Sequence, residues 1–384
     1  MHQGDYTIGM KAAFIYDDRL SHHILSESHP MKPVRLRYTY ELLLAYSSFN
    51  AVDSLIVPAR EAKKEEILSF HSQQYFDGVQ SLGRSDDSVD PGLFNFGPGD
   101  NPHYPGIDRA SLLSSGATMK ATDMLIDGEV EAAFSIAGGL HHAMSNYANG
   151  FCVFNDPVLA INRFLKKGLK VAYVDIDCHH GDGVQHAYYD SDQVLTISIH
   201  ESGSFLFPGT GFPEETGAGK GRGYSVNIPL YPYTSDEDYM WAFKEIVPPL
   251  IQQFKPDVLV TQQGIDSHFN DPITHMGLTV QGHAAIVNNL KTISPDMWLS
   301  LGGGGYDVQA VARAWTMDYG VITGQELSDV IPEPYASKHG IDTLSDHRVP
   351  EIPTGALEEI RHYAESSVRS IHSLIFRSHG IIPV

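Results

Sequence analysis

Asp177 and His179 stand two residues apart at the end of an apolar run, in the order Asp175-Ile176-Asp177-Cys178-His179-His180-Gly181-Asp182. Residues i and i+2 of an extended segment point to the same side, so a carboxylate and an imidazole at this spacing can grip one ion. A third ligand is available in Asp266, which follows the run VLVT and Gln262-Gln263-Gly264-Ile265. One histidine and two carboxylates with an open position resemble a catalytic zinc or iron site, whereas a closed structural site normally uses four ligands rich in cysteine. The bland alternative is that Asp177 and His179 only cap the next helix. Position weakens it. AFSI runs into Gly138-Gly139-Leu140-His141-His142, ISI into His200, and WLSL into Gly302-Gly303-Gly304-Gly305-Tyr306. Ligands of open α/β sheets bind outside the carboxyl ends of the strands, so these segments are expected to converge on one rim.

His141 and His142 follow two glycines that permit close backbone approach, and a one-metal site needs a proton shuttle. Asp175 and Asp182 flank the metal pair and are free to orient those imidazoles, which fixes the tautomer and raises basicity. Loop histidines satisfied by local hydrogen bonds are the alternative. The glycine run before Tyr306 matches neither phosphate-binding pattern and no lysine follows it. It is better read as close backbone passage that presents Tyr306, whose phenol could donate to an oxyanion. A tyrosine packed in the core is the competing reading. Phe151, after Gly150, and Phe207, in Phe205-Leu206-Phe207-Pro208-Gly209, could line a narrow apolar slot suited to a straight alkyl chain. A structural role for Phe207 is the alternative.

The elements that must position these residues read as alternating strands and helices. Strand candidates are Lys11 to Tyr16, Ala133 to Ile136, Leu169 to Ile176, Val194 to Ile199, Asp257 to Thr261 and Met297 to Leu301. They are apolar on both faces, the pattern of a mostly parallel sheet covered by helices on both sides. Helical spacing runs over Pro33 to Phe49, Ile107 to Ile126, Asp238 to Phe254 after a capping signal at Thr234 and Ser235, Ala310 to Ile322, and Gly355 to about Phe376. The turn-rich stretch Asp86 to Gly106 reads as a long ordered loop. No linker, repeat or low-complexity tract divides the chain. One α/β domain over residues 1–384 is expected, with the motifs in about 12–322 and a C-terminal extension over about 323–384.

Composition narrows the class. Lys plus Arg number 26 against 47 Asp plus Glu, a formal charge of −21, which argues against binding a phosphate backbone. Two cysteines in 384 residues cannot form a disulfide framework and point to a reducing compartment. No signal peptide or long apolar run is read, so a cytoplasmic protein without a membrane segment is expected. There are 20 histidines, some grouped as His22-His23, His141-His142 and His179-His180. Most are expected at the surface or at helix ends.

The ordered set GGLHHA, NGFCVFND, Asp175 to Tyr189, GID and LGGGGY resembles the zinc-dependent histone deacetylase family, class I-like, and within it the bacterial acetoin-utilisation branch. The likeness runs from about Ala12 to Ile322 and takes in HPMKPVRLRYTYELLLAY and GDNPHYPG. It implies an arginase-like domain that hydrolyses N-acetyl groups from lysine side chains. It further implies Asp177, His179 and Asp266 as ligands of zinc, or of ferrous iron. His141 would pair with Asp175 and His142 with Asp182, with His142 the general base and acid and His141 electrostatic. Tyr306 would polarise the acetyl carbonyl. Gly150, Phe151, Phe207 and Gly304 would contact the acyl-lysine, Asp100 would hold the substrate backbone, and Arg35 would belong to a cavity below the metal. A potassium or sodium ion is implied at Asp175, Asp177, His179, Ser198 and Ile199, and another near Tyr188, Ser191, Val194 and Tyr224. The implied partner is an acetylated protein or peptide, with acetylated acetyl-CoA synthetase suggested by the branch.

Departures from the family are few. Cys178 replaces a residue that is often aliphatic or alanine, and alternation should turn it away from the metal. Tyr306 is retained where weakened members carry histidine, and the basic tails of nuclear relatives are not expected. Four other readings stand beside this one: a binuclear manganese ureohydrolase, which would need further bridging acids; a deacetylase of small acetylated amines such as polyamines; a lysine deacylase for other acyl groups; and a non-enzymatic acetyl-lysine reader.

Overall fold

A short run of Ala, Val, Ile, Leu and Phe with no polar side is stable as a strand only between two layers of helices. The computed structural model, which describes residues 9–22, 24–86, 88–348 and 350–382, contains such runs. Among the described residues the strands are β1 (Ala12–Ile15), β2 (Ser54–Val57), β3 (Ala132–Ser135), β4 (Val171–Asp175), β5 (Val194–Glu201), β6 (Ser225–Leu230), β7 (Val258–Gln262) and β8 (Trp298–Leu301). They form one sheet in the order β2-β1-β3-β8-β7-β4-β5-β6. Every pairing in it is parallel, rather than most of them. All strands except β2 are buried throughout. The fold is a single α/β domain built on one all-parallel eight-stranded sheet.

The topology locates the site. β3 and β4 are consecutive in sequence, yet β8 and β7 lie between them in the sheet. Ligands of such folds bind at this kind of switch in strand order, outside the carboxyl ends. Register aligns those ends: Ser135 pairs with Leu301, Leu301 with Gln262, Gln262 with Asp175, and Asp175 with Ser198. At roughly 4.8 Å per strand, three steps separate the ends of β3 and β4 by about 14 Å. The loop after β3 therefore has to cross over β8 and β7 for its histidines to meet residues that follow β4.

The two strands absent from the sequence reading, β2 and β6, are the sheet edges. β6 is edge-paired on one side only, and the helix Ala356–Leu374 covers it with a stripe of Ile360, Ala364, Ser367, Val368 and Ile371. Ser367 Oγ donates to the Pro229 carbonyl at 2.7 Å, which satisfies an acceptor on that edge. Several helices were shorter or longer than their periodicity: the first spans Val34–Ala45, and the helix expected from Asp238 starts at Asp236. Ser235 does occupy its N-cap, but its side chain makes no capping bond, and Thr234 donates instead to the Tyr231 carbonyl. The helices Gln73–Gly83, Asp156–Leu165 and Val280–Ile293 were not read from the sequence, although Ser72, Asn155 and Thr279 cap them with side-chain oxygens. Residues 1–8, His23, Asp87, Val349 and the last two residues, which the expected domain, histidine pair and loop included, lie outside the described residues.

Candidate active site

Three ligand atoms meet above the ends of β4 and β7. One from each of Asp177, His179 and Asp266 lies within 4.8 Å of the others, and all three residues are buried. His179 Nδ1 is 2.9 Å from Asp266 Oδ2 and 3.2 Å from Asp177 Oδ1. Backbone geometry supports the trio. Cys178 N–H donates to Asp266 Oδ1 at 2.7 Å, and Gly304 N–H to Asp177 Oδ2 at 2.8 Å. A Cβ at Gly304 would stand 2.0 Å from Asp266 Oδ2, so only glycine lets the chain pass there. Two anionic carboxylates and one imidazole converging in a buried pocket fit a divalent ion of the zinc type. Cys178 turns its thiol toward Glu201, 3.8 Å away, and His180 turns to Thr210 and Gln185, as strand alternation requires.

The two histidines from the β3 loop reach this trio. His141 Nδ1 lies 2.7 Å from Asp175 Oδ2, His142 Nδ1 lies 2.7 Å from Asp182 Oδ1, and the two Nε2 atoms are 3.0 Å apart. Burial pushes the His141 pKa down, but Asp175 and Asp177 outweigh it and raise it to about 9. Burial and then the His141 cation push His142 down to about 4, against the pull of Asp182. At neutral pH His141 is the cation and His142 a free base with its hydrogen on Nδ1. Asp156, buried and capped by the turn it supports, accepts from Gly139 N–H at 3.0 Å, Leu140 N–H at 2.9 Å and Thr118 Oγ1 at 2.6 Å. It anchors the glycine turn that brings the pair across the sheet.

Tyr306 arrives from β8 through the glycine run. Arg35 spans that run, donating to the Gly305 carbonyl at 2.8 Å and the Gly303 carbonyl at 2.7 Å, with its guanidinium 5.1 Å from the Trp315 ring centre. It also borders a cavity of about 110 Å³ with Leu140, Phe151 and Val153. Tyr306 N–H donates to Asp271 Oδ2 at 2.8 Å. Burial, then Asp266 and Asp177, raise the phenol pKa well above its usual value, so the group stays a donor.

A cavity of about 660 Å³ leads to these groups, with His142, His179 and Tyr306 in its wall. Gly150, Phe151 and Phe207 line it, and Asp100 stands at its mouth with Pro98, Pro102 and Ile273. The phenyl rings pack on different partners: Phe207 lies 5.1 Å from the His142 ring, and Phe151 lies 5.8 Å from Tyr306 and 4.5 Å from His29. A Cβ at Gly150 would meet His142 Cδ2 at 2.4 Å. Gly304 is not among the residues that line this cavity, and its amide donates to Asp177.

Several residues that support the site were not singled out by the sequence. Gln262 donates to Asp177 Oδ2 at 2.6 Å and to the Gly139 carbonyl at 3.2 Å, which ties two strand ends together. Asn155 donates to the His141 and Ala143 carbonyls at 3.1 and 2.9 Å. Asp271 holds the Tyr306 turn, and Glu201, fully buried, accepts from both the backbone and Nδ1 of His275 at 2.9 Å. Position at the carboxyl end of a strand was the available signal for Gln262 and Glu201. Asp175 Oδ2 also accepts from Tyr173 at 2.6 Å, and Ser198, its register partner on β5, shares a hydrogen bond of 2.8 Å with His200.

A family model described as the histone deacetylase domain matches residues 29–321. The chain is 36% identical over 334 residues to acetoin utilization protein AcuC of Bacillus subtilis, covering 85% of this chain and 86% of that one. It is 38% identical over 325 residues to human histone deacetylase 1, covering 84% of this chain and 66% of that one. Among solved structures, an HDAC homologue from Aquifex aeolicus superposes with a TM-score of 0.82 at 28% identity over 93% of this chain and 99% of that one. An HDAC homologue crystallised with SAHA gives 0.81 at 29% identity over the same shares. The sequence match spans the glycine turns, the ligand trio and both histidine–aspartate pairs, and on that ground the chain belongs to the histone deacetylase family.

Proposed function

We propose that this protein is a zinc-dependent lysine deacetylase that hydrolyses N-acetyl-lysine side chains of proteins or peptides. The observation that carries the reading is the meeting of the Asp177, His179 and Asp266 atoms with a basic His142, a cationic His141 and a protonated Tyr306 at the end of one cavity. Zinc held by the trio would supply a Lewis acid that polarises the acyl carbonyl and makes a water more acidic. His142 Nε2 takes the proton of the attacking water, with Asp182 orienting the ring. Tyr306 donates to the oxygen that gains negative charge as the carbonyl carbon becomes tetrahedral. The C–N bond then breaks, the histidine proton passes to the lysine nitrogen, and acetate and free lysine leave. His141 stays charged throughout and stabilises the developing anion.

Phe151 and Phe207 give the channel apolar walls for the lysine methylenes, and Asp100 is placed to accept from a substrate backbone. Asp100 is the one carboxylate among the residues lining the mouth, and with it assigned to the substrate backbone no further acid remains there to take a polyamine's second cation, which supports a peptide substrate. Acetylated acetyl-CoA synthetase is the protein substrate assigned for testing first. The same reading places a potassium or sodium ion beside Asp175, Asp177, His179, Ser198 and Ile199, and puts the protein in the cytoplasm, where its two buried free thiols would stay reduced. No helix among the described residues is long and apolar enough to cross a membrane. The functional unit assigned is the stretch 12–322, supported by the segment that follows it.

Turnover of the zinc-loaded protein on acetyl-lysine peptides and on acetylpolyamines, with a chelator control, tests the reading. Peptide turnover that stops with chelator and returns with zinc is expected. Preference for the polyamine would replace the substrate assignment. In parallel, Asp266→Asn should purify folded but without metal on elemental analysis, and full zinc content in that variant would remove Asp266 from the ligand set.

A further inference from the structure

The loop from Ser267 to Thr279 begins at the candidate ligand Asp266 and ends at the helix Val280–Ile293. It carries Ile273 at the cavity mouth and Asp271 on the Tyr306 amide. Its two legs are stitched together. Leu278 N–H donates to the Ser267 carbonyl at 3.1 Å, Phe269 N–H donates to the Leu278 carbonyl at 3.0 Å, and the Thr274 hydroxyl donates to the Asp266 carbonyl. Slack in this loop would displace the Asp266 carboxylate directly.

A carboxylate from far along the chain closes the loop. Asp346 lies beyond residue 321, where the family match ends. Its Oδ2 accepts from His268 Nε2 at 2.9 Å and from Val280 N–H at 2.8 Å, so one oxygen holds the second residue after Asp266 and the first residue of the following helix. Its Oδ1 lies 2.8 Å from the Arg313 guanidinium. Arg313 also donates to the Leu344 carbonyl at 2.9 Å, and the Gln281 side chain exchanges bonds of 2.9 and 3.1 Å with the Asp346 backbone. The His268 side chain has no exposure to solvent. Its orientation is set as well: Asn270 N–H donates to Nδ1 at 3.2 Å, which leaves the hydrogen on Nε2 for Asp346.

Burying a carboxylate, an imidazole and a guanidinium together is weak evidence for stability, since an apolar cluster could serve that purpose. The helix does not require Asp346 as its cap either, because Thr279 already caps it with its own side chain. What this group provides is a directional lock on both legs of the Asp266 loop. We propose that Asp346 is a positioning residue for the metal centre, fixing the Asp266 carboxylate through His268 and Val280. The inference rests on the reading of Asp266 as a metal ligand. It gives the C-terminal extension a part in the site, although none of its described residues bonds to the ligand trio.

Groups that orient metal ligands typically change affinity by about 10–100-fold when removed. The test compares zinc affinity, by competition with a chromogenic chelator, and the visible spectrum of the cobalt-loaded protein, in wild type, Asp346→Ala, Asp346→Asn and Asp266→Asn. Circular dichroism and thermal unfolding report folding. The expected result is folded Asp346→Ala with zinc affinity lowered about tenfold or more and altered cobalt bands. Asp346→Asn, which still offers an oxygen to His268 and Val280, should lose less. Wild-type affinity and spectrum in Asp346→Ala, with only a lower melting temperature, would make Asp346 a purely structural brace and overturn the proposal. Failure of both Asp346 variants to fold would overturn it in the same way. Retention of zinc by Asp266→Asn would instead defeat the ligand assignment, a separate outcome visible in its own arm.

Discussion

A phenol held protonated beside Asp266 and Asp177 can donate to a developing anion but cannot act as a base, and Tyr306 is such a group. Its role should therefore appear in kcat rather than in folding. Tyr306→Phe is expected to lower kcat by about 10² or more, in line with loss of one oxyanion donor, with an unchanged melting curve; near wild-type turnover would refute the role. His71 tests the support behind the histidine pair. Its Nε2 accepts from Asn155 N–H at 2.9 Å, and Asn155 in turn holds the His141 carbonyl. Burial pushes the His71 pKa from 6.5 down to about 3. A depressed folded pKa means that stability present above the unfolded value is lost as pH falls toward the folded one. Between about pH 7 and about pH 5 the unfolded chain takes up a proton that the folded state refuses, at a cost of about 2 kcal/mol. Denaturant titrations should show His71→Gln losing less stability than wild type over that interval, since glutamine can still accept from Asn155.

The strand ends are aligned by register, but the loops after β5 and β7 are held from outside the sheet. The β5 loop carries Phe205 and Phe207, both substantially exposed. Tyr363, on the helix Ala356–Leu374, shares a 2.7 Å hydrogen bond with Ser202 and packs on Tyr231 and Phe205, at 5.8 and 6.4 Å between ring centres. That helix thus covers the β6 edge and steadies a channel wall. One hydrogen bond is worth about 1 kcal/mol net, so Tyr363→Phe should raise KM for an acetyl-lysine peptide by up to about fivefold. It should leave kcat nearly unchanged and increase hydrogen exchange over residues 203–209. A fall in kcat with constant KM would place the effect at the chemical step instead.

At the scale of the molecule the charge of −21 acquires a direction. An acidic body attracts lysine-rich segments by long-range steering, and that attraction is screened as the Debye length falls from about 30 Å to about 3 Å between 0.01 and 1 M salt. For peptides with basic flanks, kcat/KM should fall several-fold over that range, while neutral peptides show little change. Equal salt dependence for both would reduce the charge to a solubility feature. The C-terminal extension also takes on a meaning at this scale, because its Asp346 and Tyr363 reach two loops that begin at opposite ends of the β5–β7 segment of the sheet.

Much of the site was legible along the chain. Ligand-type residues such as Asp177, His179 and Asp266 follow apolar runs, and both residue type and position after a run are local properties. The six inner strands and five of the helices were legible for the same reason, whereas the helices Gln73–Gly83, Asp156–Leu165 and Val280–Ile293 and the edge strands β2 and β6 were not, since their pattern is shaped by what covers them. Pairing was another matter. Gln262 on Asp177, Asp271 on Tyr306 and Asp346 on His268, 78 residues apart, join segments whose approach depends on sheet order and loop closure. The sequence by itself determined which functional groups exist and that they gather at strand ends. Only the tertiary structure decided which side chains brace the ligands and which distant segment holds each loop, because parallel strands adjacent in space are separated in sequence by whole crossover connections.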